Sequence, residues 1–491
     1  MTFPLVSATV FVPLLFAGLL VAWRGAPARA AHAAGLAASG ITLVGASWMW
    51  ARGVPSGGGF SQVEEVPWIP SLGAAYRVGV DGVSLPLVLM TAILFFVSFA
   101  YSATVSERPR SYVALFLLLE TACLGSFVAL DAVLFYVFFE VTLVGMYFVI
   151  AGWGYEGRQR AALTFFIYTL LGSLPLLLAI IALYLASEPN TFDVRELVAN
   201  PPLTGLAATL ALVAMLVTFF VKTPVFPVHT WLPAAHVEAP TAGSVILAGV
   251  MLKLGTYGLV RFALQMTPDA FRALAPYVAA LAVFSALYGA FVALGQTDLK
   301  RLVAYTSVNH MGYVVLGVAV AAAATDPNAR ALALDGAVLQ MVGHGVVTGA
   351  LFLLVGMVQA RAGTREMGDL GGLLRAVPTL GWAFVLAAFA SLGLPGLAHF
   401  PAEFQIFLGT FYVYPVAAVA TLGIVVTAGL YLRAIQMAFM GEPEGERRGM
   451  KDLGARELLS AVPLLVLTVL LGVVPFVVLD MVHRTTEVLL P

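Results

Sequence analysis

The sequence predicts an all-α polytopic membrane protein with about fourteen transmembrane helices, including two inverted five-helix repeats that each contain a broken helix. Three observations carry that expectation. Of 491 residues, 61% are hydrophobic and only 10% charged, whereas an ordinary soluble domain carries roughly a quarter of its residues charged. Apolar runs recur at the length that fits a bilayer, about 20 residues of helix. Two of those runs are interrupted by proline and glycine at positions five spans apart, the pattern of discontinuous helices in repeat-built transporters.

Runs bounded by charges or turn residues place spans near 4–23, 31–50, 82–104, 112–130, 132–153, 162–186, 205–227, 242–264, 274–295, 302–323, 333–358, 377–397, 410–438 and 458–480. The first ends in Ala28-Arg29-Ala30, which resembles a signal-peptide cleavage site. The first basic residue, Arg24, follows the apolar run instead of preceding it, so the segment reads as a retained span. The seventh run ends in Lys222-Thr223-Pro224-Val225-Phe226-Pro227 and continues into His229-Thr230-Trp231-Leu232-Pro233. Prolines there remove backbone donors and clash with preceding carbonyls. The twelfth breaks at Gly393-Leu394-Pro395-Gly396 and resumes at Phe400-Pro401-Ala402-Glu403. Irregular backbone at membrane depth needs burial or a wet cavity. The chain thus reads as a single membrane domain: N-terminal helices over 1–110, a first repeat over 111–265, a second over 270–440, and an inner loop with the last helix over 441–491.

An even number of spans puts both termini on one side, and the positive-inside rule selects which. Sixteen lysines and arginines fall in loops of one side, among them Arg24, Arg108, Arg158, Lys300, Arg361 and Arg447. Seven fall on the other: Arg52, Arg77, Arg195, Arg261, Arg272, Arg330 and Arg484. The expected location is a bacterial inner membrane with both termini periplasmic.

Several function classes drop out. A net charge of −1 without a long Lys/Arg run gives nucleic acid nothing to bind. The single cysteine, Cys123, cannot form an internal disulfide or ligate an iron–sulfur cluster alone. No glycine-rich phosphate loop, HExxH or GxSxG motif is present. No cofactor or metal is therefore expected on this chain.

The informative residues are the ionisable groups inside apolar runs: Glu120, Glu140, Lys222, Lys253, His310, His344 and Glu403. Each costs several kcal/mol at membrane depth unless paired or hydrated, so each is a functional candidate. Lys253 sits in Gly249-Val250-Met251-Leu252-Lys253-Leu254-Gly255, too far from either loop to snorkel readily. Glu140 and Lys222 form the natural opposite-charge pair of the first repeat. Bringing that carboxylate close favours the ammonium, and moving it away favours proton release. His310 and His344 are imidazoles in spans ten and eleven, suited to carrying protons near neutral pH. Glu403 lies at the second break with His399 four residues earlier, where the two can share a proton. His229, His236 and Glu238 lie just past the first break. They lack familiar metal-ligand spacing and read as lining a hydrated entrance.

The stretch from Val221 to Pro233, continuing through Ala235-His236-Val237-Glu238-Ala239-Pro240-Thr241 to Gly249, closely resembles the antiporter-like membrane subunits of respiratory complex I, the proton-pumping NADH:quinone oxidoreductase. Further matches are Phe135 to Glu140, Asp298-Leu299-Lys300-Arg301 through Ser307 with His310-Met311-Gly312, and Gly393-Leu394-Pro395-Gly396 leading to Glu403-Phe404. The resemblance extends from about residue 80 onward. It assigns Glu140 to the family's fifth-helix glutamate, Lys222 and Lys253 to its seventh- and eighth-helix lysines, and Glu403 to its twelfth-helix glutamate, with His310 and His344 on the central hydrophilic axis. It implies a half-channel loading Lys222 and Lys253 from inside, transfer across the midplane, and release past Glu403. It places FMN, iron–sulfur clusters and quinone elsewhere in the complex, and makes adjacent antiporter-like subunits and lipid the partners. The chain departs from the family's pattern at Ala235, where an acidic residue is usual, at Ala402, where glycine is usual, and at Pro401 and His399. The rival reading is a subunit of a multisubunit cation/proton antiporter or of a membrane-bound hydrogenase. Glutamate at 403 favours complex I.

Overall fold

The structure, a computed structural model, describes residues 4–103 and 105–489, apart from the side chain of Glu446. The chain opens with α1 (Leu5–Ala22) and α2 (Ala28–Arg52), then forms a hairpin of β1 (Ser61–Ile69) and β2 (Ala74–Val80). This hairpin lies outside the expected set of spans. Gly73, at φ +67, follows the turn Pro70–Leu72 and lets the chain reverse in a conformation that a side chain would strain. The register sets Glu65 opposite Arg77, a cross-strand charge pair closed at 2.8 Å. Arg77 Nη1 also reaches Asp131 Oδ2 at 3.1 Å, tying the hairpin to the start of the fifth span.

Next come α3 (Ser84–Ser102), α4 (Pro109–Val128), α5 (Ala132–Trp153), α6 (Arg158–Ala186) and the short α7 (Val194–Ala199). The helices begin where the sequence supplies caps. Asp131 accepts from the N–H groups of Val133 and Leu134, while Pro109 occupies the first turn of α4, where its missing N–H costs nothing. The seventh span is α8 (Gly205–Lys222), broken over 223–230 and resumed as α9 (Trp231–Glu238). The eighth consists of α10 (Thr241–Ile246), a wide π turn at Leu247–Met251, α11 (Leu252–Gly258) and a second π turn at Leu259–Leu264. Then follow α12 (Pro268–Leu294), α13 (Leu299–Ala323), α14 (Pro327–Ala362), the single turn α15 (Leu373–Ala376), and the broken pair α16 (Pro378–Ser391) and α17 (His399–Val413). A turn at Pro415–Thr421 leads into α18 (Leu422–Ala434), and α19 (Ala455–Val473) and α20 (Phe476–Leu489) complete the described chain. Thirteen helical segments of the described residues are long and apolar enough to cross a bilayer. The pair α16 and α17 supplies the fourteenth, so the expected span count and both breaks are found.

The segment Thr241–Leu264, α13 and α14 form the centre and are buried almost all round. Spans α1, α2, α6 and α19 keep much of their apolar surface exposed, with Leu15, Val44, Leu178 and Val466 more than half exposed. Exposed apolar surface of this extent belongs against lipid or a neighbouring membrane subunit. Helix α14, 36 residues long, runs about 54 Å at 1.5 Å per residue and so outreaches a hydrocarbon core of about 30 Å. At its end Arg361 pairs with Glu457 at 2.6 Å. On the same side Arg365 pairs with Asp298 at 2.6 Å and Arg375 with Glu442.

Two basic residues that the span count places in loops are buried. Lys300, expected on the basic side, is 1% exposed and donates to the carbonyl of Ala239 at 2.6 Å. Arg261, expected in an opposite loop, is 1% exposed and bonded to Asp81, a residue of the β2 to α3 connection. In both cases a partner distant in sequence replaces the water that a loop would have provided.

Helix α20 docks through Asp335 of α14, which accepts from Thr486 and lies 2.7 Å from His483 Nδ1. Burial disfavours the charged imidazole of His483, but the hydrogen bond and charge of Asp335, with Glu487 and Asp480 nearby, outweigh it and raise its pKa. A raised folded value means this contribution to docking is complete below the unfolded value, near 6.5, and is lost as pH climbs through the folded one. Hydrogen exchange within 476–489, corrected for intrinsic rate, is therefore expected to accelerate from mildly acidic to alkaline pH. His483→Gln should flatten that dependence, and an unchanged profile in the variant would refute the assignment.

Candidate functional site

The first charged cluster forms where α8 stops. Lys222 is the last residue of α8, so its ammonium sits at the helix end that carries partial negative charge. It is 3% exposed, donates to Thr142 Oγ1 at 3.3 Å, and lies 4.5 Å from the centre of the Phe139 ring. Phe139 and Thr142 flank Glu140 on α5, one residue before it and two after. Among the described residues, no contact ion pair joins Glu140 to Lys222. Glu140 is half-buried and its Oε1 has no hydrogen-bond partner. The two charges expected as a pair thus lie on helices that touch through Thr142 and Phe139, with no contact ion pair between them.

The second cluster is built around Lys253. Just before it, the π turn has the N–H of Leu252 reaching back five residues to Leu247, a local widening that recurs at functional sites. The ammonium donates to the carbonyl of Ala248 at 2.6 Å and lies 2.6 Å from His344 Nδ1 on α14. Gly249 and Gly345 make this reach possible, since a Cβ on Gly345 would stand 2.9 Å from the Gly249 carbonyl oxygen. Without side chains there, the π turn and α14 approach closely enough for a lysine to touch a histidine. Lys253 and His344 are both 0% exposed.

From His344 the polar groups continue into a cluster, with His310 and His399 both beside its ring. Its ring centre is 5.6 Å from that of His310 on α13, which in turn is 4.5 Å from His399 at the start of α17. Both rings face Glu403: His310 Nε2 is 3.9 Å and His399 Nδ1 is 3.8 Å from its Oε1. Gln340 donates to the same oxygen at 3.4 Å. Gly393, at φ +79 in the break, leaves room for the other oxygen, because a Cβ there would lie 2.7 Å from Glu403 Oε2. Pro401 falls in the first turn of α17, where N–H groups have no helical partner in any case. Ala402 packs beside Gly336 of α14, whose Cβ would come 2.8 Å from the Ala402 carbonyl. These departures from the expected pattern are therefore accommodated without disrupting the break.

The residues past the first break spread apart. His236 is fully buried and stacks on Phe352 at 4.5 Å, with neither ring nitrogen partnered. His229 sits among Phe226, Tyr288 and Tyr305. Glu238 accepts from the N–H of Gly157 at 2.8 Å. The three do not converge on a common point. Lys300 lies over the ring of Tyr155. Glu120 faces away from the row, accepting from Ser39 of α2 at 2.9 Å.

Sequence reading thus locates the main charges but misses Gln340, Thr142 and the burial of Lys300. Gln340 precedes His344 by four residues and so shares its helix face, a spacing that was available to find it.

Known proteins resemble this chain along its whole length. Residues 129–430 match the family described as NADH:quinone oxidoreductase/Mrp antiporter, TM. NADH-quinone oxidoreductase subunit M of Rhodobacter capsulatus is 40% identical, over 97% of this chain and 94% of its own. That of Rickettsia prowazekii is 36% identical over 99% of both. A subunit M of the F(420)H(2) dehydrogenase of Methanosarcina mazei is 39% identical over 99% of this chain and 97% of its own. Among solved structures, a chain of respiratory complex I from Thermus thermophilus superposes with TM-score 0.88 at 33% identity, covering 99% of this chain and 100% of the other. A chain of the Mrp complex from Dietzia, at 23% identity and TM-score 0.87 over 99% of this chain and 97% of its own, shares the fold. A family match across the charged row and full-length relatives above 30% identity together establish that the chain belongs to the NADH:quinone oxidoreductase/Mrp antiporter family of membrane subunits.

Proposed function

We propose that the chain serves as the antiporter-like subunit M of a proton-pumping quinone oxidoreductase of the complex I type, moving protons while redox chemistry proceeds on other subunits. The observation that carries this reading is the row of neighbouring buried groups from Lys253 through His344 and His310 to Glu403, held in a protein interior where each charge is expensive. Lys222 and Lys253 take up protons from the inside, His344 and His310 pass them on, and Glu403 with His399 releases them outward. Glu140 sets how firmly Lys222 keeps its proton. His229, His236 and Glu238 line the way in, and Lys300 lies beside it. The two broken spans belong to two inverted repeats, 111–265 and 270–440. Both termini face the periplasm, as the distribution of basic residues favours.

Energy enters as electrostatics. At 100 mV, carrying one charge outward costs about 2.3 kcal/mol, so a change of a few kcal/mol in the Glu140 and Lys222 interaction is large enough to drive a step. FMN, iron–sulfur clusters and quinone belong to partner subunits, and the identity of the electron donor is set there.

The test is to tag the chain, extract it gently from its native membrane and identify its companions by mass spectrometry. Flavin and iron–sulfur subunits with NADH:quinone activity are expected. Recovery with small antiporter subunits alone, or with a hydrogenase, would replace this reading.

A further inference from the structure

His310, His399 and Glu403 are arranged around a common point without bonding to one another. The two nitrogens stand 3.9 and 3.8 Å from one carboxylate oxygen, beyond hydrogen-bond reach, and the three ligand atoms lie within 4.8 Å of each other. His399 and Glu403 are four residues apart on one face of α17, a helical spacing that aims two side chains at one ion. His310 approaches from α13, so the third donor is fixed by a different helix. All three are at least 97% buried. No other group of three or more histidine, cysteine or acidic side chains with this convergence occurs among the described residues.

We propose that these three side chains form a binding site for a late first-row divalent cation, zinc foremost, at the second helix break. Zinc bonds to histidine nitrogen or carboxylate oxygen lie near 2.0–2.2 Å, which places tetrahedral ligands about 3.4 Å apart. Each histidine therefore has to close on Glu403 by about half an ångström, and the two histidine nitrogens, within 4.8 Å of each other, close by at most about 1.4 Å, displacements within the reach of side-chain rotation. Two imidazoles and one carboxylate suit zinc, cobalt, nickel or copper and poorly suit calcium or magnesium, which take oxygen ligands. Three protein ligands leave the fourth position for water. Binding requires lone pairs on His310 Nε2 and His399 Nδ1, the latter now 3.3 Å from the Ser391 carbonyl. In the neutral rings the proton then sits on the other nitrogen, His310 Nδ1 and His399 Nε2, neither of which has a hydrogen-bond partner. The site stands on this geometry alone. Its consequence, that a bound cation occupies the proton outlet and stops pumping, rests on the function proposed above.

The test uses the intact purified complex, stripped with chelator and dialysed against buffered free zinc. Zinc per complex is expected to fall by one equivalent in His399→Gln and in Glu403→Gln relative to the natural chain, with native-gel mobility confirming assembly. Equal zinc content in variants and natural chain would overturn the proposal. A map of the zinc-soaked natural complex provides a check that needs no variant: density is expected between the three side chains, and its absence there also refutes the site. If zinc binds and is lost as stated yet leaves proton pumping of the natural complex unchanged, the site holds and the outlet role of Glu403 fails.

Discussion

Lys253→Met is expected to lower proton pumping by the assembled complex by on the order of 10²-fold, the lower end of what a positioned proton-transfer group contributes. The variant keeps the length and much of the volume of the side chain but deletes the ammonium between the Ala248 carbonyl and His344 Nδ1, each 2.6 Å away. His344 then loses its side-chain partner in that contact, the Lys253 ammonium. The informative comparison is Lys253→Arg. A guanidinium restores the positive charge and can bond to both partners, yet it does not release a proton at any accessible pH. If Lys253 moves protons, the arginine variant should pump no better than methionine. If Lys253 only supplies a fixed charge that holds α11 against α14, arginine should restore pumping. Proton release per quinone reduced, measured in reconstituted vesicles, separates the two. Recovery by arginine would remove Lys253 from the proton route.

The contrast between Lys253 and Lys300 indicates which parts of the site a sequence discloses. Lys253 is conspicuous because no other charged residue lies within a full turn on either side, so its burial is a local property. Lys300 follows Asp298 near the start of a span, where the same composition describes a solvated loop cation equally well. Its burial depends on the Ala239 carbonyl, brought there by the fold of a segment 61 residues away. The helix breaks are legible for the local reason that proline lacks a donor. The π turn before Lys253 is not, because Leu247 to Met251 contains nothing that distinguishes a five-residue return from a four-residue one. The hairpin escapes for a different reason. Its strands hold apolar and charged residues in runs too short to register beside fourteen spans, and its stability comes from cross-strand pairs and Asp131. Glu140 and Lys222 show where charge matching alone misleads. Opposite signs suggest a closed pair, whereas Thr142 and the Phe139 ring are what touch the ammonium. For a group that must alternately hold and release a proton, neighbours that stabilise it weakly are better suited than a permanent carboxylate contact.

Removing the charge of Asp81 is expected to cause the largest loss of stability of any single change considered, about 3–5 kcal/mol, the range seen when one partner of a buried ion pair is deleted. Asp81 is 1% exposed, and so is Arg261. The aspartate has two duties: Oδ2 bonds to Arg261, while Oδ1 accepts from the N–H groups of Val83 and Ser84 at the start of α3. Asp81→Ala would remove both and confuse a helix cap, worth about 1 kcal/mol, with a charge effect. Asp81→Asn keeps an oxygen for the cap and deletes only the charge, leaving the guanidinium with Gln265 Oε1 at 3.0 Å, Tyr257 Oη and the Phe60 ring. None of these neutralises it. If the loss arises from an uncompensated cation, adding Arg261→Met to Asp81→Asn should recover most of it, because an apolar side chain of similar length needs no partner. If instead the pair itself supplies the stability, the double variant should be as weak as the single one. Thermal inactivation of the extracted complex, compared among the natural chain, Asp81→Asn and the double variant, decides between them. The outcome bears on assembly as well, since this contact joins the β2 to α3 connection to the end of the span that carries Lys253, and a loose joint there would let the π turns shift relative to α14.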